Sequence, residues 1–471
     1  MHFRPGRTLA LAAVLAAPAA LQAQGFGLNE IGSCAVSRAS ATTGAPCQDA
    51  STIFWNPAAG TRLPKGITAY GGLASIQVGG DFTPDFSATG HSYRPNIPTA
   101  FPPHLFVNWN GAGRYAAGLG VYVPYGLTSQ WRDDFPGRFS AKRASIATIY
   151  VQPNLSVALT PSWSIGGGPI VAHSTVQLSQ SLDLSSQRLP NGGGLTFASL
   201  GVVPGTEFGR AFLKGSAMGY GFHVGVHGTI GSSIQVGARY LSSIQFKYDD
   251  ANARFVQLAT NLAVPDASTG GQIGVPAGTP YDMFLAAQFR TGGALVPQKV
   301  KTAITHPGQF EAGIGYTAPT GTLVSFDYGY ILWSKFGELP VNFQGPASGS
   351  SRTLIEDYHN SSSYRFSAEQ KFTRYWDLTA RAGFSLTQTP APDETVTPLL
   401  PDMDRRNFAA GLGLPLGGRY TVDVGYLHVD TQGRRGRIIE RTSYSQTAAQ
   451  LNGGFYRLNA NILSLSLKAS L

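Results

Sequence analysis

Between Tyr364 and Leu386, apolar and polar positions alternate with a period of two. Tyr364, Phe366 and Ala368 interleave with Arg365, Ser367 and Glu369. After the turn Thr373-Arg374-Tyr375, the pattern resumes. Trp376, Leu378, Ala380, Ala382, Phe384 and Leu386 share one face, and Asp377, Thr379, Arg381, Gly383 and Ser385 the other. Side chains on a strand change face at every residue, so this stretch predicts a hairpin with one apolar and one charged face. A soluble sheet with one wet face alternates in the same way. The aromatic residues discriminate between the two. Phe372, Tyr375 and Trp376 cluster at the turn, while Tyr364 and Phe384 lie near the far ends. Aromatic girdles at both rims of an apolar band are what a transmembrane barrel turns to lipid.

Short alternating runs recur at Ala116 to Val123, Ile146 to Val157, Ser164 to His173, Ile234 to Tyr240, Phe310 to Tyr316 and Val324 to Leu332. At the C-terminus, Leu463, Leu465, Leu467, Ala469 and Leu471 alternate with polar residues, which predicts a last strand running to the final residue. Residues 24–65 differ: they are rich in Ala, Ser, Thr and Gly, and lack a sustained period of two. Connections alternate in length. Short ones, such as Thr160-Pro161-Ser162, are separated by long ones at about 178–216, 249–305 and 387–406, the asymmetry expected between periplasmic turns and external loops. The fold class read from this is all-β, a transmembrane β-barrel over residues 66–471 preceded by a small separate segment.

The N-terminus reads as a secretory signal over residues 1–23, with Arg4 and Arg7 ahead of the apolar run Leu9 to Leu21. That run falls short of the about 20 apolar residues a spanning helix needs. Beyond it, no stretch approaches a transmembrane helix, so a membrane-spanning chain must close into a barrel, because lipid cannot satisfy an open sheet edge. The 58 glycines and 11% aromatic content suit tight turns and interfacial belts. Net charge is +9 without a lysine-rich run or basic helix, which argues against a nucleic-acid partner. Basic residues in outer loops either meet anionic lipopolysaccharide or are solvated surface charge. Cys34 and Cys47 form an even pair that an oxidising compartment bridges, worth about 3 kcal/mol to the segment in the chain-entropy model. With no His or further Cys nearby, no metal site is expected, and no cofactor.

The inward faces assigned by alternation hold Arg239, Glu311, Asp327, Arg365, Glu369, Arg381 and Asp423. Mixed signs in one lumen predict paired charges around a plug; unpaired residues in a wide aqueous pore are the alternative.

Five segments in order resemble the FadL-type family of outer-membrane transporters for hydrophobic compounds. They are Gly25-Phe26-Gly27-Leu28-Asn29-Glu30; Asp49 to Ala58, containing Asn56-Pro57-Ala58; Val123 to Leu127 followed by Gly137-Arg138-Phe139; Trp333-Ser334-Lys335-Phe336; and Thr389-Pro390 followed by Pro401 to Arg405. The resemblance implies about fourteen antiparallel strands in the bacterial outer membrane, with a lumen closed by an N-terminal hatch over residues 24–65. It implies passive uptake of long-chain fatty acids or aromatic hydrocarbons, with sideways release through the wall into the membrane; a monomer is expected, with the oligomeric state left open by the sequence. In the family, the strand matched by Pro124 and Gly126 kinks inward at the glycine, and the phenylalanine matched by Phe26 lies in the plug beside that opening; Phe26, Asn56, Pro57, Ala58, Pro124 and Gly126 are therefore the residues expected at the gate. On residues alone, Pro124 and Gly126 equally suit an ordinary strand end. The two loops matching 178–216 and 249–305 form the family's capture groove. Here they carry Phe197, Leu200, Phe208, Phe212, Phe255, Leu258 and Phe284, which otherwise pack the loops together.

Fatty-acid carriers of the family hold the carboxylate with basic residues. The matching positions here, around Gln180 and Ser362, are polar, which tilts the expectation toward neutral hydrophobics, with Arg365 or Arg381 left as possible lumen partners. A general diffusion porin and an outer-membrane hydrolase are the alternatives. The nine His are scattered, and no Gly-x-Ser-x-Gly elbow occurs, so the chain reads as a non-enzyme.

Overall fold

The computed structural model describes residues 25–85, 90–111, 114–189, 194–266, 274–436 and 453–471. The signal expected at residues 1–23 lies outside them. Fourteen antiparallel strands form one closed ring. They are β1 Gly66–Pro84, β2 Pro103–Gly111, β3 Tyr115–Gln130, β4 Arg143–Ala158, β5 Trp163–Asp183 and β6 Glu207–Ile230. β7 runs Ile234–Leu241 and resumes as Ile244–Gln257; β8 runs Gln298–His306 and resumes as Gln309–Thr317. The remainder are β9 Leu323–Ile331, β10 Ser361–Phe372, β11 Leu378–Thr387, β12 Arg405–Leu416, β13 Tyr420–Thr431 and β14 Gly454–Ser470. Pairing of β1 with β14, from Thr68↔Ser470 to Pro84↔Gly454, closes the ring.

Alternation decides which side chains face outward. Across four strands, Phe326, Phe366, Phe384 and Phe408 stand opposite one another in a single row, all on the exterior. Neighbouring rings in that row lie 5.0 Å (Phe326–Phe366) and 5.2 Å (Phe384–Phe408) apart. Leu463, Leu465 and Leu467 form an exposed stripe on β14. Such a continuous apolar exterior has no partner in water and is the surface of a chain solvated by lipid. Trp376 departs from expectation. It does not begin β11 but sits in the turn after β10 with φ 51, because that turn takes five residues rather than three.

Two of the long connections are shorter than the sequence indicated. β5 and β6 continue to Asp183 and from Glu207, and β7 and β8 reach Gln257 and start at Gln298. Phe208, Phe212 and Phe255 are therefore strand residues rather than loop residues. The wall rises above its apolar band, where alternation of apolar and polar side chains no longer marks lipid from lumen.

Inside the ring lies the segment from Gly25 to Pro64. It carries two short helices, Ser33–Ser37 and Thr52–Trp55, and a 3-10 turn Pro57–Arg62. Cys34 and Cys47 are joined by a disulfide. Glycines on both sides let its backbone approach the wall: a Cβ on Gly383 of β11 would stand 2.3 Å from the Arg38 carbonyl carbon, and one on Gly44 of the segment would stand 2.2 Å from the carbonyl carbon of Gly313.

Candidate functional site

Buried charges on the inner wall meet the N-terminal segment. Glu311 Oε1 lies 2.9 Å from both Arg239 Nη2 and Arg365 Nη1, and all three side chains are buried. Arg381 bridges Glu369 at 2.7 Å and Asp423 at 2.5 Å. Asp327 accepts the Thr43 and Gly44 backbone N–H groups at 2.5 and 3.1 Å, and Thr43 Oγ1 donates to Glu311 Oε2 at 2.8 Å. Arg38, a cation the alternation did not flag because it lies in the irregular segment, donates to Ser325 and Ser367 at 2.8 and 3.1 Å. Asn56 Nδ2 donates to the carbonyls of Thr43 and Val226, both at 3.0 Å, while its Oδ1 accepts from Ala58 N at 3.2 Å. The Pro57 carbonyl accepts from Ser156 and Asn154 at 2.6 and 3.0 Å. Asn56, Pro57 and Ala58 thus fix the segment to β4 and β6. They stand apart from Pro124 and Gly126, with which the sequence reading grouped them.

The wall itself is incomplete at one place. β2 has only nine residues, so β3 pairs with it from Tyr115 to Val121 and has an edge beyond that β2 does not cover, met at its far end by the connection ahead of β2, where Asn96 N donates to the Gln130 carbonyl at 2.8 Å. At Val123-Pro124 the register between β3 and β4 shifts, two residues facing one, as a β-bulge does. The N-terminal segment takes part of this edge. Leu28 N donates to the Pro124 carbonyl at 2.9 Å, and Gly126 N donates to the Phe26 carbonyl at 3.0 Å. Phe26 is buried in an aromatic cage, with ring centroids at 4.7 Å (Trp333), 5.3 Å (Phe336), 5.5 Å (His306) and 5.9 Å (Tyr125).

A cavity of about 430 Å³ lies in the wall here. Its inner lining includes Gly27, Leu28 and Met403; its outer lining includes Phe101 and Ile149, which are 60% and 45% exposed on the exterior. The cavity therefore touches both faces of the barrel. Its charged lining is Glu30, Asp402 and Arg405. Asp402 accepts from Gly25 N at 3.0 Å and from Thr389 Oγ1 at 2.7 Å, and Arg405 contacts both the Gly25 carbonyl and Asp402 at 3.1 Å. Burial raises the Glu30 carboxyl above its usual range, although Arg405 opposes the shift.

Above the lumen, a second hollow of about 340 Å³ is lined by Phe139, Leu178, Phe208, Phe255, Phe343 and Leu354, together with the charged Arg143, Arg352 and Asp183. Arg352 Nη2 donates to Gln180 Oε1 at 2.7 Å, so a cation stands beside a position the sequence reading took as merely polar. No sequence signal connects residues 172 apart. Phe197 packs instead with Leu184, Val202, Phe208, Tyr281 and Leu285, with Leu200 and Phe284 against that cluster. Those three side chains hold the loops together. Leu258 N donates to the Phe208 carbonyl at 2.8 Å, and Phe212 carries the Arg254 guanidinium over its ring at 4.8 Å.

Residues 13–470 match the family model described as outer membrane protein transport protein (OMPP1/FadL/TodX). The chain is 26% identical over 431 residues to the long-chain fatty acid transport protein of Escherichia coli O6:H1, covering 89% of this chain and 90% of that one. It is 23% identical over 457 residues to the 47 kDa outer membrane protein of Pasteurella multocida, covering 97% of each. Among solved structures, it is similar to a Pseudomonas aeruginosa FadL homologue with a TM-score of 0.73 at 22% identity, over 95% of this chain and 99% of that one. It also superimposes on the P. putida toluene transporter TodX with a TM-score of 0.63 at 14% identity, over 96% of this chain and 99% of that one.

Proposed function

We propose that this chain, which belongs to the OMPP1/FadL/TodX family of outer membrane transport proteins, takes up hydrophobic compounds passively and releases them sideways through its own wall into the bilayer. The observation that carries this is the cavity between β2 and β3, apolar over most of its lining and in contact with both faces of the barrel. An apolar solute leaving through the periplasm would re-expose its surface at roughly 25 cal/mol per Å². A side exit avoids that cost. On this reading, residues 24–65 act as a hatch held by the buried charge network, and Phe26 to Leu28 act as a gate lying along the edge of β3 beyond β2. The hollow lined by Phe208 and Phe255 captures the ligand first, with lipid and lipopolysaccharide surrounding a monomeric barrel.

For the substrate class, Arg143 and Arg352 outnumber Asp183 in the outer hollow, and that carboxylate already accepts from Ser185 and Gly205, so the hollow favours an amphiphile with an acidic head, in keeping with the fatty acid named for the E. coli relative. A second reading, neutral aromatic hydrocarbon, is favoured by the inner cavity, whose one arginine is already paired with Asp402. Uptake of labelled long-chain fatty acid and of toluene by cells with and without the protein tests both. Equal uptake of both compounds in the two strains refutes the transport reading. Replacing Arg143 and Arg352 together with glutamine is expected to lower fatty-acid uptake and spare toluene. A large steady conductance in planar bilayers would instead identify an open porin.

A further inference from the structure

The upper parts of β6, β7 and β8 carry a group of basic side chains on the outside of the barrel. Lys214 stands opposite Asn252, and Asn252 stands opposite Lys299, so the three share one face in one row. With strands spaced about 4.8 Å apart, Lys214 and Lys299 flank Asn252 at about 10 Å from each other. Lys301 lies two residues along β8 on the same face, Lys247 and Arg254 lie above and below on β7, and all five basic side chains are exposed. Arg254 is held upright by its stacking on Phe212. Over residues 212–218, 245–254 and 298–303, the acidic groups are Asp249 and Asp250, so the patch keeps an excess of three positive charges. Among the described residues, Lys299 Nζ makes a loose contact with the Asp250 carboxylate at 4.0 Å and donates to the Asp250 carbonyl at 3.4 Å. Elsewhere on the upper rim, basic groups meet acids directly: Arg435 pairs with Asp85, and Arg434 with Asp393.

The position of the patch identifies what meets it. Met218, Tyr220, Phe222 and Val224 form the exposed apolar row of β6, and Lys214 precedes Met218 by four residues, about 13 Å along the strand. A molecule covering both features needs acyl chains beside an anionic head. The patch lies on strands, next to the upper end of the exposed apolar row of β6, rather than on a loop tip. We propose that Lys214, Lys299 and Lys301, supported by Lys247 and Arg254, form a binding site for the phosphorylated head of an outer-leaflet glycolipid, lipopolysaccharide, with its acyl chains along Met218 to Val224. Ammonium groups at this spacing match a head bearing two phosphates, and charge-assisted contacts at a membrane surface add to the apolar contact below. The inference rests on the outer-membrane placement and makes the lipid contact residue-specific.

The test uses the full-length protein in detergent, with bis-phosphorylated lipid A and enzymatically dephosphorylated lipid A as probes, and binding read by native mass spectrometry. The variant K214Q/K299Q/K301Q is expected to retain bis-phosphorylated lipid A about tenfold less than the parent. The variant K65Q/R374Q/R419Q removes the same charge at the opposite end of the barrel and is expected to match the parent. The parent is expected to hold dephosphorylated lipid A only at the level of the first variant. Equal retention by the first variant and the parent overturns the proposal, as does an equal loss in the control variant. Because all six residues are exposed, heat-modifiable gel mobility checks that each barrel is folded. Uptake of hydrophobic probes is a separate readout: its absence in the parent refutes the transport reading and leaves lipid A retention unaffected.

Discussion

Replacing Phe26 by alanine should loosen the N-terminal segment from the edge of β3 beyond β2 while leaving the barrel intact. Phe26 is 1% exposed, and its ring packs edge-on against Trp333, Phe336, His306 and Tyr125. Truncating a buried Phe to Ala costs about 3–5 kcal/mol in lost transfer energy and residual cavity. The two backbone hydrogen bonds, Leu28 N to Pro124 and Gly126 N to Phe26, survive the substitution and still favour docking. With a tenfold change for each about 1.4 kcal/mol, the undocked fraction should rise roughly a hundred- to several-thousand-fold. The amides of Leu28 and Gly126 report this directly, because each is protected by a bond that breaks on undocking. In hydrogen-exchange mass spectrometry, peptides covering 25–30 and 122–128 should therefore exchange faster by about that factor. Peptides from β14, whose ladder with β1 and β13 does not involve the segment, should be unchanged. Unchanged exchange at Leu28 and Gly126 would refute the reasoning, as would equal acceleration throughout the barrel.

Gly126→Trp places an indole where even a Cβ would stand 2.9 Å from Leu28 Cδ1, and it fills the wall cavity; uptake should drop to that of cells lacking the protein while gel mobility stays folded, and unchanged uptake rules out sideways exit. Glu311→Gln leaves Arg239 and Arg365 without their shared carboxylate, so the barrel should lose about 3–5 kcal/mol in urea unfolding from lipid vesicles; a loss under about 1 kcal/mol would show the pair to be dispensable. Serine at Cys34 and Cys47 should cost the N-terminal segment about 3 kcal/mol and accelerate amide exchange over residues 33–47, and equal exchange in both proteins would contradict this. Burial pushes the Glu356 carboxyl up to about 8 from 4.5. An acid whose folded value is raised contributes most below about 4.5, and that contribution is lost as pH climbs through 8. Proteolysis of the 332–360 connection should thus be faster at pH 9 than at pH 5, and flat with pH in Glu356→Gln; a flat profile in the parent protein counts against it.

What the sequence discloses and what it withholds follow from strand geometry. A period of two states which face a side chain takes, and so Arg239, Glu311, Arg365 and Arg381 are readable as inward from their own strands alone. It says nothing about which inward residues meet across the lumen, since that depends on ring closure and on a segment without periodicity. Arg38 and Thr43 escaped notice for that reason, and so did Arg352 beside Gln180. Strand length is a second blind spot. Once β5 to β8 rise past the lipid band, nothing in the pattern marks where wall becomes loop, and a strand as short as β2 looks no different from its neighbours until its partner's edge is found bare. The Thr389 to Arg405 loop unites these limits. Its Pro-Asp-Met-Asp-Arg motif resembles the family without an evident task, because the atom Asp402 holds, Gly25 N, lies 377 residues away. Thr389, Asp402 and Arg405 together secure Gly25, one residue before Phe26 enters its aromatic cage. The Thr389 to Arg405 loop and the Gly25-Phe26 segment are thus two ends of one fastening, each meaningful only in the presence of the other.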